Sequence, residues 1–364
     1  MKDTTRAIDA IDKANWIAFA PFVFQAARSL RNLGILAAIE ASKDAGLSAE
    51  EIETRTEVSH YGVRVLCEAG LAIGLLTSKD GRYYLTKTAH FFIHNPFTKA
   101  NTDFTHDVCY NGLFHLEDAI KTGKPEGLKV FGEWNTIYEA LSQLPDKVQE
   151  SWFGFDHYYS DVSFAACLPL VFEENPGKIL DIGGNTGKFA LQCLAYNDRV
   201  QVSIADLPGQ LEMAKTNAAA TPYSERLTYI ETNLLDASQT LPRGYDAIWL
   251  SQFLDCFSEA EIVSILTRCV DAMDDRSCVF ILEPFWDRQR FSTSAFCLMM
   301  TSLYFTAMAN GNSQMYRSDL FFSFIEQAGL CIEKITDNIG VGHTLLKCRK
   351  IEKKGSMIQN PKNE

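Results

Sequence analysis

The stretch Ile179-Leu180-Asp181-Ile182-Gly183-Gly184-Asn185-Thr186-Gly187 constrains this chain more than any other. A short apolar run ends in an acid, glycines follow at the spacing G-G-x-x-G, and a helical pattern runs from Lys188 to Leu194. That order predicts strand, tight turn and helix. Glycine lets the backbone turn sharply and approach a ligand with no Cβ in the way. In doubly wound proteins a loop of this kind, at the C-terminal end of the first parallel strand, is where nucleotides bind. The spacing departs from the G-x-G-x-x-G dinucleotide fingerprint, which disfavours a nicotinamide-dependent dehydrogenase, and no G-x-x-x-x-G-K-S/T phosphate loop occurs. The pattern suits an uncharged ribose and an amino-acid tail better than a pyrophosphate. The alternative is a purely structural turn.

The C-terminal half supports a sheet around that loop. Strands are predicted at Ile179–Ile182, Val200–Ala205, Leu227–Glu231, Ala247–Leu250, Val279–Leu282, Ile332–Thr336 and Leu345–Cys348, most of them separated by helical stretches. This alternation implies an α/β domain with a mostly parallel sheet and helices on both faces. Ligand groups in such sheets come from the strand C-termini. The second strand ends in Asp206-Leu207-Pro208, 19 residues after Gly187. An acid there can bond both hydroxyls of a ribose, and Leu207 can pack on adenine. The third strand ends in Thr232-Asn233-Leu234, the fourth in Ser251-Gln252-Phe253-Leu254-Asp255 and the fifth in Glu283-Pro284-Phe285.

The N-terminal region reads differently. From about Trp16 to Ala41 the apolar residues follow a helical pattern, and the stripe is wide and aromatic. A helix apolar nearly all round must be buried, which in a short domain points to a partner chain and hence a homodimer; packing within its own domain is the alternative. Ser48 with Glu51 marks a capping box, and a second helix is expected from Tyr61 to Gly74. Lys79-Asp80-Gly81-Arg82 between two short β-prone runs marks a hairpin. Helix, turn, helix and β-wing together make a winged helix. Transcription factors use this arrangement, yet the second helix carries only Arg64 as a cation, beside Glu68. The net charge of −12 also argues against a nucleic-acid partner. A scaffold or dimerisation role fits better.

Residues 101–174 are helical and aromatic-rich, and the helix carrying Trp152 to Tyr159 could lid a pocket. His157 on it is a candidate substrate contact, or a satisfied structural histidine. Ten cysteines are scattered without a C-x-x-C pair, so neither zinc nor a disulfide framework is suggested; they fit a reducing cytoplasm. No signal peptide or membrane-length apolar run is evident. The expected division is 1–100, a winged-helix-like dimerisation domain; 101–174, a helical linker and pocket region; 175–350, the ligand-binding domain; and 351–364, a flexible tail.

With these residues in view, the chain resembles class I S-adenosylmethionine-dependent methyltransferases, more narrowly the O-methyltransferases of the caffeic-acid, acetylserotonin and bacterial polyketide type. Asp181-Ile182-Gly183-Gly184, Asp206-Leu207-Pro208 and Ala328-Gly329-Leu330 carry the resemblance, which spans nearly the whole chain. It implies a Rossmann-like seven-stranded sheet, S-adenosylmethionine as cofactor, a small aromatic acceptor and a homodimer. It further implies cofactor contacts from Asp181, Gly183, Gly184, Gly187, Asp206, Leu207, Asn233, Leu234 and Ser251. Acceptor contacts are expected from Phe153, Tyr158, Phe296, Met299, Met300 and Met315, the methionine- and aromatic-rich segment from Phe291 to Met308 lining the acceptor site in that family.

The catalytic set departs from the family pattern. Its Leu-His-Asp-Trp motif reads Leu254-Asp255-Cys256-Phe257 here. The first glutamate that orients the histidine is retained as Glu283, and the second falls near Gln314 or Met315, neither a carboxylate. A phenol near pKa 10 lies about 6 units from an unperturbed aspartate and about 3.5 from histidine, so proton transfer to Asp255 is roughly 3 kcal/mol harder. Desolvation and repulsion from Glu283 would narrow that gap. Three catalytic readings stay open: Asp255 is a tuned base, His157 replaces the family base, or the acceptor needs little help. A carboxylate, an acidic enol or a phenol attacking through ring carbon would be such an acceptor. The remaining alternative is that Asp255 only orients the substrate. Carbon methylation, or other chemistry on the same cofactor, is the first rival to oxygen methylation, and a non-enzymatic regulator the second.

Overall fold

The computed structural model describes residues 3–351; apart from Ile351, the expected tail lies outside them. Two compact units divide after Asp103. The helical stretch from Phe104 to Glu174 groups with the second unit.

The first unit holds helices α1 (Ala7–Asn32), α2 (Ile35–Ala41), α3 (Ala49–Thr56) and α4 (His60–Ala72), the hairpin β1 (Leu76–Lys79) and β2 (Arg82–Leu85), and α5 (Lys87–His94). Helix α6 (Pro96–Phe104) runs to the boundary. The single helix expected from Trp16 to Ala41 starts earlier, at Ala7, and is broken by Gly34. Gly34 takes φ +76°, a left-handed conformation that a helix cannot continue through. The capping box is formed: Ser48 Oγ accepts from the Glu51 N–H and Glu51 accepts from the Ser48 N–H. Leu30, Ile35, Leu36, Ile52, Val63 and Leu76 close a small core. The outer part of α1 does not join it. Ile8, Ile11, Trp16, Ile17, Phe19 and Phe22 are 53–70% exposed in the single chain. Arg64 on α4 stands 3.8 Å from Glu68, so its charge is opposed on its own helix. His90 and His94 both meet Glu40, which ties α5 to α2.

The second unit adds α7 (Leu116–Thr122), α8 (Ile137–Ala140), α9 (Asp146–Val171), α10 (Lys188–Tyr196), α11 (Pro208–Ala219), α12 (Glu259–Ala272), α13 (Ser292–Tyr304) and α14 (Ser318–Gln327). Its strands are β3 (Lys178–Ile182), β4 (Gln201–Asp206), β5 (Leu227–Glu231), β6 (Ala247–Ser251), β7 (Cys278–Glu283), β8 (Leu330–Ile339) and β9 (His343–Lys350). All seven predicted strands are present. They form one sheet in the order β5-β4-β3-β6-β7-β9-β8, with β9 antiparallel to both neighbours.

Strands β3 and β6 are buried on both faces because helices cover both. Along β6, Ile248 and Leu250 enter the core built with α12 and α14, whereas Ala247 and Trp249 enter the one built with α9, α10 and α11. Trp249 stacks on Phe189 at 3.9 Å. The chain runs outward from β3 through β4 to β5 and returns at β6, beside β3. That reversal opens a crevice at the strand C-termini, with the glycine loop at its edge. A third core joins α9, α13 and the helical stretch after Phe104. Among the described residues no helix is long and apolar enough to cross a membrane.

Candidate active site

Two cavities meet at the crevice. The larger, about 260 Å³, is walled by the ends of β4, β5 and β6 and by α9 and α13. The smaller, about 60 Å³, lies against the glycine loop. Asp156, Gly183, Asn185 and Gln252 line both. Two of these hold left-handed backbone without being glycine, Asn185 at φ +48° and Gln252 at φ +47°. Strain of this kind is kept where the surrounding structure over-determines it, commonly at functional sites.

The glycine loop is needed for packing as well as for turning. A Cβ on Gly183 would fall 2.2 Å from the Phe253 ring, and one on Gly184 would fall 2.8 Å from Asp181 Oδ2 and from Ile204. Gly187 lines neither cavity. It precedes α10 at φ +79° and packs near Ala214 and Ile204, so it serves the helix start.

Asp206 sits where its strand predicts. One carboxylate oxygen accepts the Asn185 N–H at 2.8 Å and the other the Leu207 N–H at 2.7 Å. Each oxygen keeps a second lone pair for a ligand hydroxyl. Burial raises this carboxyl to about 6 against those two bonds. Leu207, Asn233 and Leu234 line the same end of the larger cavity. Asn233 Oδ1 is engaged by the Leu235 N–H, so its amide N–H₂ is the group available to a ring nitrogen. Asp181 and Ser251 line the smaller cavity, with Gly184, Lys188 and His157. Burial pushes Asp181 up to about 8, with Asp206 adding repulsion.

The other end of the larger cavity is aromatic. Phe104 stacks on Phe155 at 4.0 Å and meets Tyr304 edge-on at 4.9 Å. Trp152 Nε1 donates to the Tyr304 hydroxyl at 2.8 Å within the wall. Phe305 and Met315 complete this end.

Asp255 lies at this aromatic end, buried, on the short turn Leu254–Cys256. The Cys256 thiol donates to it at 3.4 Å. Desolvation first, and then the charge of Asp156, push its carboxyl up to about 7. Asp156 thus joins the repulsion expected between Asp255 and Glu283, which is felt at Glu283.

Glu283 is not at the cavity wall. One of its oxygens accepts the Phe253 and Leu254 N–H groups at 3.0 and 2.8 Å, while the other has no partner among the described residues. Its burial and Asp255 hold the carboxyl well above the usual range. It caps the turn that carries Asp255. His157 stacks on Phe153 and stands 3.7 Å from Asp156. It lines only the smaller cavity and does not share a wall with Asp255.

Of the expected acceptor contacts, the structure brings Met315 to the larger cavity and leaves five outside it. Phe153 and Tyr158 lie on other faces of α9, whose cavity face is Trp152, Phe155 and Asp156. Phe296, Met299 and Met300 are exposed on α13, which reaches the cavity through Thr301 and Tyr304. Helical spacing from a known wall residue would have found the right face: Tyr304 and Thr301 are one turn apart, as are Trp152 and Phe155. Phe104, Tyr138 and Asp156 lie in the region 101–174 expected to form the pocket, yet none was singled out as a wall residue, because nothing local marks them.

Comparison with known proteins places this geometry. Residues 113–329 match the family model of the O-methyltransferase domain, and residues 12–83 that of a Dimerisation2-like domain. The chain is 20% identical over 318 residues to L-tyrosine C(3)-methyltransferase of Streptomyces lavendulae, covering 86% of this chain and 85% of that one. It is 24% identical over 257 residues to 3-hydroxy-5-methyl-1-naphthoate 3-O-methyltransferase of Streptomyces sahachiroi, covering 68% and 72%. Among solved structures, the S-adenosylmethionine-dependent methyltransferase SibL in its apo form shares the fold with a TM-score of 0.70 at 20% identity, covering 93% of this chain and 98% of that chain.

Proposed function

The chain belongs to the O-methyltransferase domain family, and from that premise we propose that it moves a methyl group from S-adenosylmethionine to a hydroxyl of a small aromatic or polyketide-like acceptor. One observation carries the reading: a small polar cavity adjoins an aromatic one at the carboxyl ends of β3, β4 and β6.

The residues fit the cofactor. Ser251 Oγ and Gln252 Nε2 are buried at the smaller cavity with no hydrogen-bond partner among the described residues, a cost unless a polar ligand meets them. They and Lys188 would hold the amino-acid tail. Asp206 would hold the ribose, and Leu207, Asn233 and Leu234 the adenine. When bound, the sulfonium supplies a methyl group already activated for displacement. The chain's part is to align the acceptor and keep water out. Phe104, Phe155 and the Trp152–Tyr304 pair form a wall whose own contacts fix it.

Asp255 takes the acceptor proton in this reading. At about 7 it lies about 3 units from a phenol, which is where an unperturbed histidine would stand. Burial has thus recovered most of the basicity that the replaced histidine would supply. Carbon methylation is the second reading, favoured by the likeness to a tyrosine C-methyltransferase.

The exposed apolar face of α1 and the Dimerisation2-like match support a homodimer formed through the N-terminal helices. Scattered thiols, all free, support a cytoplasmic setting. Calorimetric titration with S-adenosylhomocysteine tests the reading. The wild type should bind, and Asp206→Ala should weaken binding at least about tenfold, the loss of one charged hydrogen bond. No binding by the wild type would remove the methyltransferase reading. Product mass and position then separate oxygen from carbon transfer.

A further inference from the structure

The larger cavity has one sign of charge. Its walls include the carboxyl groups of Glu139, Asp156, Asp206 and Asp255, and among the described residues that line it there is no lysine, arginine or histidine. Lys188 and His157 line only the smaller cavity. Asp206 belongs to the cofactor end, and Glu139 is exposed at the rim. Asp156 is half-buried where the two cavities meet, projecting from the same helix face as Trp152 and Phe155. The Asn185 amide approaches it at 3.5 Å and His157 Nδ1 at 3.7 Å.

The same cavity is lined by the rings of Phe104, Trp152, Phe155, Tyr304 and Phe305. Aromatic faces attract cations as well as apolar surface. An anionic acceptor entering here would meet Asp156 and the partly ionised Asp255 in a low-dielectric space, where like charges repel strongly. The chain's net charge of −12 also draws cations toward it and holds anions off.

Resting on the methyltransferase reading, we propose that the acceptor is an aromatic compound bearing a basic nitrogen, whose ammonium is recognised by Asp156 where the aromatic cavity meets the smaller one. An aromatic carboxylic acid is the class this cavity rejects.

Three phenols that differ only in side-chain charge test the assignment: tyramine, p-cresol and 4-hydroxyphenylacetate. Their binding to full-length protein saturated with S-adenosylhomocysteine would be followed by calorimetry. Tyramine should bind at least about tenfold tighter than 4-hydroxyphenylacetate, equivalent to about 1.4 kcal/mol, with p-cresol between them. Asp156→Asn should bring tyramine close to p-cresol while leaving p-cresol unchanged. If that variant does not fold, Asp156→Glu, which keeps the charge, should retain the wild-type order. The proposal is overturned if the acid binds as well as the amine, or if tyramine does not bind the loaded protein at millimolar concentration. Should S-adenosylhomocysteine itself fail to bind, the methyltransferase reading falls. The same series on unloaded protein then tests the charge preference alone, with the same order expected.

Discussion

Removing Asp255 from water raises its proton affinity to about 7, and Asp156 adds to the shift. The consequences for rate and for stability have opposite signs. A general base must be ionised, so turnover should rise as pH increases through about 7. Asp255→Asn should lose about a hundredfold or more in kcat and flatten that limb; an unchanged profile would remove Asp255 from proton transfer. For stability, the folded value lies above the ordinary 3.8, so between about 3.8 and about 7 the folded protein binds more protons than the unfolded chain. Stability from this carboxyl is then present at low pH and is lost as pH rises through about 7. Asp255→Asn should therefore gain on the wild type as pH rises across that window in denaturant titrations. Residue identity at position 255 was readable in the sequence, but its basicity was not. That value depends on burial and on Asp156, about a hundred positions away in the chain.

At the scale of elements, two glycines with nearly the same backbone angle separate turning from packing. Gly34 has φ +76°, and a Cβ added there would meet nothing within 4 Å, whereas Gly183 has φ +69° and the Phe253 ring 2.2 Å from where a Cβ would lie. Gly34→Ala should cost about 1 kcal/mol, the left-handed penalty alone. Gly183→Ala adds an overpacking cost of about 1–3 kcal/mol and should also weaken S-adenosylhomocysteine binding, since Phe253 must move. Urea midpoints and calorimetry would check both, and equal midpoints for the two variants would refute the packing role. Helices α9 and α13 teach the complementary lesson. Their aromatic content was visible in the sequence, yet both are apolar on more than one face. Phe296 and Met300 are as hydrophobic as Tyr304 and Phe305, and only the packing of α13 against the third core shows which face meets the cavity.

For the whole molecule, the exposed face of α1 is the largest departure from a self-sufficient chain. Six large apolar residues between Ile8 and Phe22 stand more than half exposed, and covering them would contribute on the order of 1.5–3 kcal/mol each when fully buried. Trp16→Glu combined with Phe19→Glu should convert a dimer to a monomer in sedimentation velocity; unchanged sedimentation would place the interface elsewhere. The sequence by itself determined the strands, the glycine turn, the capping box and Asp206, because each is written in neighbouring residues through period, turn chemistry and hydrogen-bond reach. Only folding across the chain set the wall of the cavity, the proton affinity of Asp255, the withdrawal of Glu283 to a cap and the acidic lining of the larger cavity. Those properties arise from burial and from groups brought together across the chain, and neither is a local function of sequence.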